Sequence, residues 1–499
     1  MKKKIILLST ILCFASAIFA QKHDNNWVFG YQTCYAGDST YIGTQMSFTH
    51  DTLEMRPICL PIDLGVTMAA MSTAKGEFLF YTNSFMIADS TGDTLQNSVG
   101  LSLTNGNTNN WQHGSYIAQS SICLPMPGDS MQYYVFHCDY KELTNPGNPT
   151  VYYAPTYYYS IVTFDAAHPN GYVSVKNAPA VTGDFISGTL TACKHGNGRD
   201  WWVLIPERVT STVRRVLISP SGVTEEGSQT LLTGGGGMGP GQAAFSPDGT
   251  KYARLQGYLD IYDFDRCLGL LIFKETLLCP AINWTSFGME FSPNSRYIYL
   301  NMGEDLYQYD LTSSNVDSSV VHIAHYDGFT PPPPYVPLPT AFYLMQNAPD
   351  GKIYVSTTNG TPYLHVIHSP DSQGVACNFE QHALLLEGYK CYGMANFPNY
   401  RLGALQGSPC DTLSVSNQLA VNSKQIKVYP NPAQNEVNIE LPQGIKAARF
   451  LLYNALGQQV QQADLQASTL VRLQVKQGLY FYQIFERDKM VGYGKLQVE

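Results

Sequence analysis

The chain has 499 residues, of which 14% are charged and 12% aromatic, and its formal net charge is −9. It is too long for one ordinary hydrophobic core, and an acidic chain poor in lysine matches neither nucleic acid nor anionic lipid, both of which need their phosphates neutralised. The 34 tyrosines suit pleated, half-exposed surfaces, so an all-β chain is expected.

Lys2, Lys3 and Lys4 precede an apolar stretch from Ile5 to Phe19 that has small residues near its end. This reads as a secretory signal peptide over residues 1–20, cleaved between Ala20 and Gln21, with Ala17 as the alternative site. The run is too short to span a bilayer, and no later segment holds about 18 uninterrupted apolar residues, so no transmembrane segment is expected. Leu12 stands before Cys13 where a lipoprotein signal wants a small residue, which argues against lipidation. Without the three signal lysines, 27 basic residues face 39 acidic ones and the net charge becomes −12. Ten of the 11 cysteines remain, an even number that favours disulfides in an exported protein. Cys34, Cys59, Cys267, Cys279, Cys377 and Cys391 are the candidates, with their pairing open, and Cys410 could tie down the segment around it. No Cys-x-x-Cys occurs, which removes the simplest zinc and redox readings.

The body repeats itself. Ala243-Ala244-Phe245-Ser246-Pro247-Asp248-Gly249 aligns with Met289-Glu290-Phe291-Ser292-Pro293-Asn294-Ser295 and with Met345-Gln346-Asn347-Ala348-Pro349-Asp350-Gly351. The prolines are 46 and 56 residues apart, and the longer spacing contains Pro331 to Pro334. Each unit reads as a small-residue strand, a Pro-Asp-Gly-type turn, a β-rich second strand, and a third strand ending in an aromatic-Asp pair such as Tyr262-Asp263 or Tyr309-Asp310. Weaker copies begin near Ala69, Ser121 and Thr191. Gly393 to Phe397 reads as a seventh inner strand, able to close a blade with Asn26-Trp27-Val28-Phe29-Gly30. Periods of about 40–50 residues with four strands each signify a β-propeller, whose ring closure removes exposed sheet edges. The expected body is therefore a seven-bladed propeller over residues 25–403, with six blades as the alternative. Its Ser-Pro-Asp-Gly units resemble WD40-like repeats of bacterial exported proteins, and Asn26 to Gly30 with Asn396-Phe397-Pro398 resemble a propeller family that often accompanies a particular export signal.

No reactive constellation stands out in this body. His322/His325 and His365/His368 lie three apart on expected strands, where alternation points them to opposite faces, so neither pair is expected to chelate locally. Asp263 and Asp265 share a face but lack the Gly and Glu of a calcium loop, and read with Asp260 as a blade edge. Gly234 to Gly237 lead into a strand rather than a helix, so they form a loop and not a phosphate cradle. Ser246-Pro247-Asp248-Gly249-Thr250 is only a partial sialidase-type Asp box. Tyr152, Tyr153, Tyr157, Tyr158, Tyr159, Trp201 and Trp202 could anchor a sugar or a protein, but alternate aromatics inside strands are expected to pack between blades. No catalytic residue, metal or cofactor is expected.

Residues 404–424 are small and polar and read as a linker. Beyond them, Ile426 and Val428, then Val437, Ile439 and Leu441, then Tyr480, Tyr482 and Ile484 alternate with period two, which argues for a small immunoglobulin-like β-sandwich over residues 425–499. Its ordered motifs are Tyr429-Pro430-Asn431-Pro432, Asn454-Ala455-Leu456-Gly457, Gly478-Leu479-Tyr480-Phe481 and Gly494-Lys495-Leu496. In that order they resemble the type A C-terminal sorting domain of type IX secretion cargo in Bacteroidota. The resemblance implies Sec export to the periplasm, recognition by the type IX machinery, and a secreted or outer-surface location. The functional expectation is a binding or interaction module for an extracellular protein or glycan. An extracellular hydrolase or lyase with its site at the propeller axis, or a structural envelope or gliding-type component, stands as the alternative.

Overall fold

The computed structural model describes residues 21–32, 39–49, 52–102, 113–143, 151–231, 241–255, 258–278, 288–411, 426–441, 445, 447–454, 459–466, 468–486 and 489–499. The signal peptide up to Ala20, Cys34, Cys279 and Gly234 to Gly237 lie outside these residues. The chain divides into two compact units at Gly403/Ala404.

The first unit is a seven-bladed β-propeller. Its sheets begin at Asn26–Phe29, Thr67–Ser72, Ser121–Pro125, Ala192–Lys194, Ala243–Phe245, Met289–Phe291 and Phe342–Asn347. Along each sheet's main path the strands follow one another antiparallel in chain order, the meander that short turns permit, apart from Lys141–Leu143, which pairs off the path with Val151–Thr163, and Met394–Ala395. The repeated turn has a common chemistry. Ser246 Oγ donates to Asp248 Oδ1 (2.6 Å) and accepts from Lys251 N (2.9 Å), while Gly249 N donates to Ser246 O (2.8 Å) at φ 71°. In the next copy Ser292 Oγ donates to Asn294 Oδ1 (2.8 Å) and accepts from Tyr297 N (2.8 Å), and Ser295 takes the left-handed position at φ 62°. Glycine takes that position in the flanking copies because only it enters this region without steric cost.

Ring closure differs from the sequence expectation. Met394 and Ala395 pair in parallel with Thr67 and Met68, not with Asn26–Phe29. Asn26–Phe29 is hydrogen-bonded along Gly43–Thr49 and meets the closing segment through side chains, with Trp27 stacked on Phe397 at 5.8 Å. First strands run the same way around the axis, so a late segment entering there joins a neighbour in parallel.

Tyrosine fills the blades. Tyr81, Tyr157, Tyr252, Tyr262, Tyr299, Tyr309, Tyr354 and Tyr400 are all fully buried. Several find a hydroxyl partner, as a buried phenol requires: Tyr157 donates to Gly188 O (2.7 Å), Tyr299 to Pro370 O (2.8 Å) and Tyr400 to Cys123 O (2.6 Å). Trp201 and Trp202 are buried as well, while Tyr152 is exposed. Among the cysteines, Cys59, Cys267 and Cys410 are disulfide-bonded. Cys377 and Cys391, both candidates for a bridge, carry free thiols instead, as do the buried Cys123, Cys138 and Cys193. Among the described residues no helix is long and apolar enough to cross a membrane.

The second unit has two sheets. One joins Lys427–Tyr429, Glu436–Glu440 and Ser468–Arg472; the other joins Gln459–Gln466, Ala447–Tyr453, Gly478–Glu486 and Lys489–Val498. Val437, Ile439 and Val471 from the first share a buried core with Phe450, Leu452, Ile484 and Leu496 from the second, which makes a sandwich. Tyr429-Pro430 and Asn431-Pro432 are cis. Asn431 Nδ2 donates to Lys495 O (2.8 Å) and its Oδ1 accepts from Gln497 N (2.9 Å), so the Tyr-Pro-Asn-Pro segment is fastened to the last strand.

Candidate functional site

In six of the seven blades the first strand has one edge that no strand of its own sheet covers, Thr67–Ser72 being the exception, and its backbone groups need partners. Side-chain amides supply them. Gln119 Nε2 donates to Ala243 O (2.9 Å) while its Oε1 accepts from Ala243 N (2.8 Å), which reproduces a strand pair with one side chain. Gln242 accepts from Met289 N and Met345 N (both 3.2 Å) and donates to Met345 O (2.6 Å). Gln346 exchanges two bonds of 3.3 and 3.2 Å with the backbone of Phe397. Asn396 donates to Ser121 O (2.8 Å) and Leu190 O (3.0 Å). The axis is thus tied by four buried amides, and residues 119 and 396 lie in one hydrogen-bonded chain.

A cavity of about 250 Å³ opens among these strands. Pro247, Pro293 and Pro349, one from each clear repeat, line it together with Ala244, Phe245, Asp24, Glu290, Asn347 and Arg401. The repeat alignment explains the space. Glu290 and Gln346 occupy equivalent positions in adjacent blades, and the third copy has Ala244, whose methyl group leaves the volume empty.

Glu290 is the unusual member. It is 5% exposed, accepts from Phe291 N (2.9 Å) and Asn347 N (3.3 Å), and also meets the Asn347 side chain. Burial raises its carboxyl from 4.5 to about 8, and these backbone donors only partly offset it. At neutral pH the group is mostly protonated, so one oxygen can donate. The proton then stabilises the fold fully below about pH 4.5, and that contribution is lost as pH rises through about 8. Each pH unit in this window carries about 1.4 kcal/mol. We expect E290Q, the isostere of the protonated acid, to be more stable than the wild type at pH 8.5 by roughly 3–4 kcal/mol relative to their difference at pH 4.5. Urea unfolding at both pH values measures this, and equal differences would remove the assigned burial cost.

Two further oxygens on cavity-lining residues are buried without a partner and have almost no accessible surface. Asp24 pairs with Arg401 through Oδ2, but its Oδ1 is buried with no hydrogen bond; burial holds this carboxyl above its usual range, and Arg401 only partly offsets it. Asn347 Nδ2 donates to Phe291 O (2.8 Å), which fixes the amide orientation and leaves its buried Oδ1 unpaired.

The sequence-stressed pairs fall elsewhere. His365 is buried, with Nε2 on Thr340 O (2.7 Å), while His368 reaches Glu380 (2.9 Å), so that pair diverges. His322 and His325 do not diverge. A bulge opposite Leu306/Tyr307 resets the alternation, and His322 Nε2 (2.8 Å) and His325 Nδ1 (2.9 Å) both meet Asp305 Oδ1. Asp260 is buried and accepts from Thr276 (2.6 Å), and Asp265 caps the following turn through Cys267 N (2.8 Å). Among the described residues no group of three or more His, Cys, Asp or Glu side chains is arranged to hold a metal ion.

Solved structures are matched at low identity. A protein from Lactobacillus plantarum is 13% identical with a TM-score of 0.44, covering 74% of this chain and 98% of its own. A putative 6-phosphogluconolactonase from Bacteroides fragilis is 12% identical with a TM-score of 0.39, covering 74% and 97%. The periplasmic gluconolactonase PpgL of Pseudomonas aeruginosa is 12% identical with a TM-score of 0.36, covering 91% and 99%. No curated protein matches the chain. Residues 427–499 match the family described as the secretion system C-terminal sorting domain. The chain therefore joins a seven-bladed β-propeller to a type IX secretion sorting domain, which implies interaction with that machinery and secretion or surface attachment.

Proposed function

We propose that the propeller acts outside the cell as a binding module and that its axial cavity is the ligand site. The observation that carries this reading is the cavity itself: a preformed space held open by an amide-tied axis and lined by Asp24, Glu290, Arg401 and the three repeat prolines. At about 250 Å³ the space lies just under the range of about 300–1,000 Å³ typical of drug-sized sites, so the occupant is small.

Ala244→Gln tests this by placing at Ala244 the side chain that Gln346 already has at the equivalent position two blades on. The unfolding temperature of the purified full chain should rise in the presence of ligands from a small-metabolite panel, and A244Q should abolish every such shift while keeping the wild-type circular dichroism. Shifts that survive the filled cavity would place binding elsewhere. Glu290→Gln separates binding from acid catalysis. It keeps the shape and a donor, so a binding site retains its ligand, whereas a hydrolase or lyase that draws on the Glu290 proton loses turnover.

A further inference from the structure

The propeller has a second opening at the end opposite the axial cavity. In a meander the loops that enter the first strands and the turns between second and third strands share one end, while the turns between first and second strands share the other. Pro247, Pro293 and Pro349 place the axial cavity at the latter end. At the former end lies a groove of about 380 Å³. Val336 and Leu338 line it just before Phe342–Asn347, Tyr389 and Tyr392 just before Met394–Ala395, and Asn359 from the turn between Ile353–Thr357 and Tyr363–Ile367. Tyr31 and Tyr41 complete its aromatic wall. Tyr41 stacks on Tyr389 (5.2 Å), Tyr31 stands edge-on to Tyr41 (6.1 Å), and Tyr335 stands edge-on to Tyr389 (5.1 Å). The backbone fixes this stack, since Tyr389 N donates to Thr40 O (3.0 Å) and Val336 N donates to the Tyr389 hydroxyl. Tyr389 is thereby buried, whereas Tyr41 stays 42% exposed and Val336 51% exposed.

Charge and shape select the occupant. Among the described residues none that lines the groove carries a charge, so an ionic ligand would lose hydration there without gaining a counter-charge. The electron-rich face of a tyrosine ring attracts polarised C–H groups, and a flat C–H surface covers it best. Thr358 and Asn359, both partly exposed, add a hydroxyl and an amide. Asn359 Nδ2 donates to Pro339 O (2.8 Å), which orients the amide and leaves its oxygen to accept. We propose that this groove binds a neutral oligosaccharide, with one pyranose ring lying on Tyr41, its hydroxyls meeting Asn359 and Thr358, and the rest of the chain continuing into solvent. A pyranose offers an apolar C–H face and a rim of hydroxyls that donate as well as accept. A proline-rich peptide also stacks on aromatic walls, but its carbonyls need donors, and the wall donors Asn359 Nδ2 and Val336 N are already engaged. The volume falls within the range of about 300–1,000 Å³ typical of ligand sites. This site is separate from the axial cavity and does not depend on it.

Calorimetric titration of the purified full chain decides it. The neutral probes are maltotriose, cellotriose, mannotriose and chitotriose; the charged probes are trigalacturonate and fully deacetylated chitotriose; a decaproline peptide represents the rival class. At least one neutral trisaccharide should bind, with the charged probes at least tenfold weaker. Y41A should weaken that binding tenfold or more, while Y41F should stay within threefold, because the ring face and not the hydroxyl makes the contact. N359A, at a partly exposed side chain, should weaken it at least threefold, so the result does not rest on Y41A alone. A244Q, which fills the axial cavity, should leave it unchanged. Binding that neither Y41A nor N359A alters, or no binding by any trisaccharide, would overturn the proposal. Loss of binding in A244Q would move the sugar to the axial cavity and overturn the groove. Charged probes that bind as tightly as neutral ones would overturn the ligand class. Decaproline that binds in a Tyr41-dependent way, with no trisaccharide bound, would replace the sugar by a proline-rich partner. None of these failures touches the axial cavity, which the metabolite panel tests separately.

Discussion

Replacing Trp27 by alanine is expected to destabilise the propeller by about 3–5 kcal/mol, the range for truncating a large buried aromatic side chain. Trp27 has no solvent exposure, and its ring touches Phe29 (6.4 Å), Phe48 (5.2 Å), Tyr354 (5.6 Å) and Phe397 (5.8 Å). Those residues come from the first sheet, the seventh sheet and the closing segment, so the indole plugs the point where the end of the ring meets its beginning. Its Nε1 also donates to Asp24 O (3.0 Å), fastening the residue that faces the axial cavity. Loss of the indole would leave a cavity that a twisted sheet packed on both faces cannot collapse to fill. Urea unfolding followed by far-ultraviolet circular dichroism reads the change. Val209→Ala, at a side chain 71% exposed, serves as the control and should stay within about 0.5 kcal/mol of wild type. A loss below about 1 kcal/mol for W27A would mean that closure does not depend on this contact.

The propeller was legible because its signal is periodic. Pro247, Pro293 and Pro349 mark turns whose geometry needs particular residues, and those turns occur as the repeat requires. The partner of the closing segment was not legible. Met394–Ala395 is too short to have a pattern, and Asn26–Phe29 and Thr67–Ser72 are both apolar strands, so choosing between them needs the direction of travel around the axis. The histidine pair failed for a related reason. The rule that residues three apart diverge needs a regular strand; His365 sits at a register shift with His368 past the end of its strand, and one inserted residue opposite Tyr307 brings His322 and His325 together. Glu290 was within reach of the sequence. The repeat alignment sets it beside Ala244 and Gln346, and a carboxylate in a position otherwise small or amide is the anomaly that the structure explains as a buried acid. The axial roles of Gln119 and Gln242 had no such signal, because a glutamine outside a strand reads as surface until its neighbours around the ring are known.

Removing residues 427–499 is expected to stop the propeller from leaving the cell, with the truncated chain retained on the inner side of the outer membrane and none detected in medium or on the surface. The sandwich carries the match to the sorting family, while the propeller has its own cores, distinct from that of the sandwich. Truncation should therefore spare folding and abolish only delivery. Fractionation with immunodetection, plus the melting temperature of the purified propeller, separates these outcomes; export of the truncated chain at the wild-type level would sink the assignment. A point change refines it. Asn431 holds the Tyr-Pro-Asn-Pro segment on the last strand through two hydrogen bonds, to Lys495 O and from Gln497 N. N431A removes both at a stability cost of about 1–2 kcal/mol, small against a core that includes Val437, Phe450, Ile484 and Leu496. If the machinery reads the motif as a surface in which Pro430 to Pro432 lie against Lys495 to Gln497, N431A should cut export several-fold while the sandwich stays folded. If it reads only an unfolded tail, N431A should export normally, and the conformation of the motif would have no part in recognition.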